Sequence, residues 1–83
     1  MTTEEIRSAL RRFIETELTA GAGFGDDESL IENGMLSSMG VLNLQSFMKE
    51  RFHVDLDDAE FEIDNFETLD AMTAMIVRKR GPA

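Results

Sequence analysis

Cysteine is missing from this chain altogether, as are tryptophan and tyrosine, and proline and histidine occur once each. Without cysteine there is no disulfide framework and no thiolate metal site, and any thiol chemistry has to arrive with a cofactor. The same absence fits a reducing compartment, and a cytoplasmic protein is expected. The lone histidine, His53, has no second histidine and no cysteine with which to build a metal site. Cations are scarce as well: eight Lys and Arg face seventeen Asp and Glu, for a net charge of −9. A nucleic acid partner is thereby disfavoured, because binding one requires a basic patch that displaces counterions. An anionic membrane surface repels the chain for the same reason. Long apolar runs are also lacking, and none approaches the roughly 20 residues that span a bilayer. The segment Met1-Thr2-Thr3-Glu4-Glu5 has neither the basic start nor the apolar stretch of a signal peptide. What the charge does favour is a protein partner with a basic docking patch, met rapidly and through salt-sensitive contacts. Acidity by itself also serves solubility, so a motif is needed to choose.

What is present is an apolar fraction of 42% in 83 residues, with six Phe and six Met. That length reads as a single domain over residues 1–83. A chain this short buries only about 60–70% of its unfolded surface, so its core must be simple and well patterned. Ile6, Leu10, Phe13, Ile14 and Leu18 recur at helical spacing, which predicts an amphipathic helix over 3–18. Arg7, Arg11, Arg12, Glu15 and Glu17 fall mostly on its other face, and Thr2 or Thr3 can cap it. Three glycines within Gly21–Gly25 stop it and open a long connection, from about 20 to 36. Within that connection Ser29–Gly34 forms an irregular turn that tucks Leu30 and Ile31 inward. A second helix is expected from Ser37 or Ser38 to about Arg51, burying Val41, Leu44, Met48 and Phe52. Phe52–Asp57 alternates like a strand but has nothing to pair with, so it reads as an extended loop burying Val54 and Leu56. Asp57 or Asp58 then caps a short helix over about 59–65 carrying Phe61 and Ile63. Thr68 caps a fourth helix with Leu69, Met72 and Ile76 inward; Arg78, Lys79 and Arg80 favour its negative end, and Gly81-Pro82 ends it. The fold class is therefore all-α: three longer helices, a short third one and a long first loop. Met48, Met72 and Met75 fill the core, and Met39 is expected at the surface.

Chemistry, if any, belongs to Gly34-Met35-Leu36-Ser37-Ser38-Met39-Gly40, where a loop turns into a helix. The first serine can offer its oxygen to the free amides of the first turn. The second then stands at the positive end of the helix with its hydroxyl outward. An anion attached there gains roughly 0.3–1 kcal/mol from the amides and the dipole, which suits a phosphodiester. From the residues alone, capping is the simpler account of both serines. Other candidates fail sooner. Read as an EF-hand loop starting at Asp55, the acidic stretch has Ala59 fifth, Glu60 sixth and Phe66 twelfth, against the required ligand, glycine and Glu. It reads as a solvated surface facing partners. Gly21–Gly25 has no preceding strand and no P-loop lysine, and Asp26-Asp27-Glu28 would repel a phosphate. No nucleophile–base pair or ligand cluster stands out, so a non-catalytic protein is expected.

From Ser29 onward the chain resembles the acyl carrier proteins. The likeness lies in Ser29-Leu30-Ile31-Glu32-Asn33-Gly34, then Gly34-Met35-Leu36-Ser37-Ser38-Met39, then Phe52-His53-Val54-Asp55-Leu56. Glu60-Phe61-Glu62-Ile63-Asp64-Asn65-Phe66-Glu67-Thr68-Leu69 is similar to the approach to the fourth helix, above all in stand-alone carriers such as the D-alanyl carrier proteins. The resemblance implies a four-helix bundle of acyl-carrier type. It implies that Ser38 receives 4′-phosphopantetheine from coenzyme A through a phosphopantetheinyl transferase. It also implies that the arm's thiol carries an acyl or aminoacyl group as a thioester. Partner docking would fall to Ser37, Met39, Leu42 and Asn43, with an adenylate-forming ligase or acyltransferases as loading enzymes and a monomer as the working form. Two departures stand out. Ser37 occupies a position that is usually Asp, and Asn43 one that is often acidic, so two docking charges are gone. Serine caps a helix about as well as Asp, which leaves the fold unaffected. Both changes point to a specialised carrier rather than the general one of fatty acid synthesis. The alternative is an acidic helical docking or adaptor domain with no prosthetic group, in which Ser38 only helps to start a helix.

Overall fold

In the computed structural model, residues 2–19, 21–56 and 63–80 are described, excepting the side chain of Ile63. Four helices appear in chain order: α1 (Thr3–Phe13, continued by a π-helical turn over Ile14–Leu18), α2 (Ser38–Phe52), α3 (Ile63–Phe66) and α4 (Leu69–Arg80). No strand occurs among the described residues, and none of their helices is long and apolar enough to cross a membrane. The architecture is an all-α four-helix bundle with a short third helix and a long first loop.

Each helix starts where its sequence offers an oxygen to free amides. Thr2 caps α1 in a reciprocal box: its hydroxyl accepts from the Glu5 amide at 3.1 Å, and its own amide donates to Glu5 Oε1 at 2.9 Å. Ser37 caps α2, and Thr68 Oγ1 accepts from the Ala71 amide at 3.0 Å at the start of α4. α1 reaches Leu18 as its periodicity predicts, but its last turn is widened, with the Thr19 amide donating to the Ile14 carbonyl. That wider turn carries Leu18 to the start of α2, where its Cδ1 lies 3.7 Å from where a Cβ on Gly40 would stand.

Apolar positions at helical spacing close one core. Ile6, Leu10 and Ile14 from α1 meet Leu44, Met48 and Phe52 from α2, with Leu69, Met72, Met75 and Ile76 from α4. Leu30 and Val54 are buried as expected, while Ile31, Val41 and Leu56 pack against the core half-buried. Among the described residues Thr73 is the buried polar one, and its hydroxyl donates to the Leu69 carbonyl at 2.8 Å, so that hydroxyl keeps a partner. Of the short helix expected over about 59–65, residues 59–62 lie outside the described residues; α3 is seen over Ile63–Phe66, one residue beyond the expected end, and Phe66 is its fully buried anchor. Phe61, the caps assigned to Asp57 and Asp58, and the Gly81-Pro82 stop lie outside the described residues.

The structure corrects one feature of α1. Arg7 and Arg11, assigned to the outward face, are turned against the long loop and α4. Arg11 pairs with Asp26, donates to the Phe24 carbonyl at 2.6 Å, and lies 4.7 Å above the Phe24 ring. Arg7 pairs with Asp70 at 3.2 Å and with Glu4 at 3.2 Å. The Asp70 amide donates to the Asp26 carbonyl, and the Leu30 amide to that of Glu67. Guanidinium groups reach this far because long stems can lie along apolar surface while the head meets its partners. The long loop is thus tied to α1 and α4 along its length, and it delivers residues 36–38 to a fixed place.

Candidate functional site

The loop-to-helix junction at Ser37 and Ser38 is built by a turn, a plug and a cap. Gly34 turns the chain with φ +79°, a backbone conformation that side chains disfavour, and Asn33 Oδ1 accepts from the Met35 amide at 2.9 Å. Leu36 then plugs inward, 5% exposed, and its Cδ1 would stand 2.8 Å from a Cβ on Gly40. Gly40 therefore lets Leu36 lie flat against the first turn of α2, with Leu18 on the neighbouring side.

The two serines have different tasks. Ser37 takes the extended conformation of an N-cap, φ −93° and ψ 175°, and its Oγ accepts from the Gly40 amide at 3.2 Å. Ser38 is the first residue of the helix and is exposed, and its side chain makes no hydrogen bond among the described residues. Its hydroxyl stands in the positive field of the free amides of α2 and is committed to nothing. No acidic residue lies in that first turn to compete for the field.

Around Ser38 the surface is apolar. Met39 is 66% exposed and Leu42 48%, and they are the exposed large hydrophobic residues among those described. Both follow within about one turn of Ser38, so hydroxyl and apolar pair share one end of α2. Asn43 is exposed one residue further, turned toward the α1 seam beside Phe13 and Glu17. The structure thus brings Ser38, Met39 and Leu42 together, with Ser37 beneath them as the cap and Asn43 at the margin.

His53 takes no part. It is the left-handed residue (φ 58°) that ends α2, fifteen positions from Ser38, or about 22 Å along the helix. That separation puts His53 out of reach of the Ser38 hydroxyl. Arg80 donates to the Phe52 carbonyl at 3.2 Å, so this end of α2 is closed by a cation from α4. Among the described residues no group of three His, Asp or Glu could hold a metal ion.

Two perturbed carboxyls brace the framework. The Glu28 carboxyl is held below its ordinary range chiefly by the Gly25 amide and then by the Asn33 side chain, which reach it at 2.9 and 2.7 Å. That lock fastens the loop just ahead of Gly34. Glu5 is lowered by its hydrogen bonds with Thr2, backbone first. Residue patterns on α1 and α2 alone did not reveal that Phe13 and Phe47 stack, with centroids 4.2 Å apart, because the pairing depends on how the helices meet. No family model matches this chain, and no curated protein matches it significantly.

Proposed function

We propose that the chain is an acyl or aminoacyl carrier whose working group is the Ser38 hydroxyl. The observation that carries this reading is the division of labour at the head of α2. Ser37 does the capping, which leaves Ser38 exposed, unbonded and flanked by the apolar pair Met39 and Leu42. A serine needed only to start a helix would take the cap itself, and an exposed apolar pair has a cost unless something covers it.

In this reading the Ser38 oxygen bonds to the phosphorus that bears the pantetheine of coenzyme A. The phosphoanhydride bond breaks, adenosine 3′,5′-bisphosphate leaves, and the hydroxyl proton passes to the phosphopantetheinyl transferase. The resulting phosphodiester stays in the field of the α2 amides, a favourable place for an anion. Phosphopantetheine supplies a terminal thiol, which this chain lacks, and with it a thioester link to the cargo. Ser38, at a fixed end of α2, sets where the tether starts, and tethering raises the concentration of cargo seen by each docked enzyme. Met39 and Leu42 give such an enzyme an apolar anchor, and the net charge of −9 steers its basic surface inward. An adenylate-forming ligase or an acyltransferase is the loading partner proposed.

The same exposed pair supports a second reading, a docking or adaptor domain with no prosthetic group. Intact mass separates the two. The purified chain is incubated with coenzyme A and a broad-specificity phosphopantetheinyl transferase, beside Ser38→Ala. A gain of one phosphopantetheine in the wild type and none in the variant is the expected result. No gain in a folded wild-type chain, with the transferase active on a control carrier, favours the adaptor; Ser37→Asp then tests whether the missing charge is responsible.

A further inference from the structure

α1 and α2 begin differently. In α1 Glu5 stands three residues after the cap and returns a hydrogen bond to the Thr2 amide. In α2 the equivalent place, three residues after Ser37, is held by Gly40. Glycine disfavours a helix more than any residue but proline. Backbone freedom is not what it supplies here: among the described glycines those with positive φ are Gly21 and Gly34, whereas Gly40 is helical and buried. What it supplies is space.

A Cβ on Gly40 would stand 2.8 Å from Leu36 Cδ1, 3.7 Å from Leu18 Cδ1 and 3.7 Å from Ser37 Oγ. Ordinary contact begins at 3.4 Å, so the approach to Leu36 is about 0.6 Å too close, and Leu18 already closes another side. Leu36 has little room to withdraw. It is 5% exposed and belongs to the core, its amide donates to the Leu30 carbonyl at 2.9 Å, and the Leu30 amide donates to the Glu67 carbonyl at 2.8 Å. The plug is thus held from behind by the tied loop. The part that yields to a larger residue at position 40 is the first turn of α2, which bears Ser38.

We propose that Gly40 is a positioning residue for Ser38, a role that rests on the carrier reading above. With no side chain there, Leu36 seats under the first turn and fixes the height at which the Ser38 hydroxyl meets the phosphorus of coenzyme A. The same glycine stands where a capping-box acid would, so no carboxylate shares the amide field with the phosphodiester. Gly40 is buried, while Met39 and Leu42 form the exposed surface, so it acts on placement of the hydroxyl and not on docking.

The test compares wild type, Gly40→Ala, Leu36→Val and the double variant as substrates of a broad-specificity phosphopantetheinyl transferase with coenzyme A, each first shown to be folded by circular dichroism. Misplacing a reacting group by about 1 Å can cost on the order of a hundredfold in rate, so about 0.6 Å should lower kcat about tenfold in Gly40→Ala. KM for the chain should stay within about twofold, because the docking pair is untouched. Leu36→Val lacks the Cδ1 and slackens the same seat, for a fall in kcat of about threefold. In the double variant the added methyl fills what valine leaves, and kcat should return to within about twofold of wild type. If Gly40→Ala alone does not fold, recovery of Leu36→Val in the double variant decides. An unchanged kcat in folded Gly40→Ala, meaning that Leu36 merely turns aside, overturns the proposal. So do losses that multiply in the double variant, or a KM that rises while kcat holds. A wild-type chain left unmodified by a transferase active on a control carrier overturns the carrier reading, and the role of Gly40 falls with it. A modified wild type without the mutual rescue overturns the positioning role alone.

Discussion

Replacing each serine of the junction by alanine separates the structural from the available hydroxyl. Ser37→Ala removes the oxygen that accepts from the Gly40 amide at 3.2 Å and leaves that donor, in a buried residue, without its partner. Loss of a serine N-cap costs about 1 kcal/mol, within a range of roughly 0.5–2. Ser37 lies outside the helix, in extended geometry, so alanine's helix propensity returns nothing there. Ser38→Ala is the opposite case. The residue is helical and exposed and makes no side-chain hydrogen bond among the described residues, so alanine should be neutral or gain a few tenths of a kcal/mol. In a domain of this size about 1 kcal/mol corresponds to roughly 4–8 °C in Tm. Ser37→Asp should keep the cap and add about 0.3–1 kcal/mol from the dipole, less in an already acidic chain. Urea denaturation read by circular dichroism checks this ordering, with an unchanged slope certifying that the unfolded reference is the same. If Ser38→Ala lost as much as Ser37→Ala, the division of labour between the serines would be refuted. The Ser38 hydroxyl would then be structural, and the case for its modification would lose its main support.

Two further expectations follow from the long loop. Gly34 has φ +79° and nothing within 4 Å of where a Cβ would stand, so Gly34→Ala should cost about 1–2 kcal/mol purely through the backbone. Gly34→Asn should recover part of that, and a loss equal to alanine's would point to an unseen steric cause. Glu28, whose folded carboxyl is depressed, stabilises the fold fully above the ordinary glutamate value of 4.5, and that contribution is lost as pH falls through the lowered folded value. Carbon-detected titration should find Glu28 protonating below the ordinary glutamate value of 4.5, and Glu28→Gln should flatten the fall in stability on the acid side. A Glu28 that titrates at or above that value would remove the lock from the loop.

Most of the fold was legible because it rests on local rules. Ile6, Leu10 and Ile14 recur at 3.6-residue spacing, and a helix laid through them has one apolar stripe whatever it packs against. Caps are local too: Thr2, Ser37 and Thr68 each serve an amide three residues away. So the helices, the long first connection, buried Leu30 and exposed Met39 could be read from the sequence. The junction was also legible as a place, since a glycine, an apolar plug and two serines announce a turn into a helix.

Only the tertiary structure decided which serine caps and which is left free, because that depends on the backbone entering α2 at Ser37, held there by Leu36 packing on Gly40. Only it turned Arg7 and Arg11 from a polar face into ties on the loop, since Asp26 and Asp70 come from separate segments that meet once the core has closed. The Phe13–Phe47 stack arises in the same way, from two helices separated by residues 19–37 and set antiparallel. Amphipathic periodicity says which face of a helix is buried. It carries no information on which face of another helix it will meet, and that pairing is settled by the packing of the whole core.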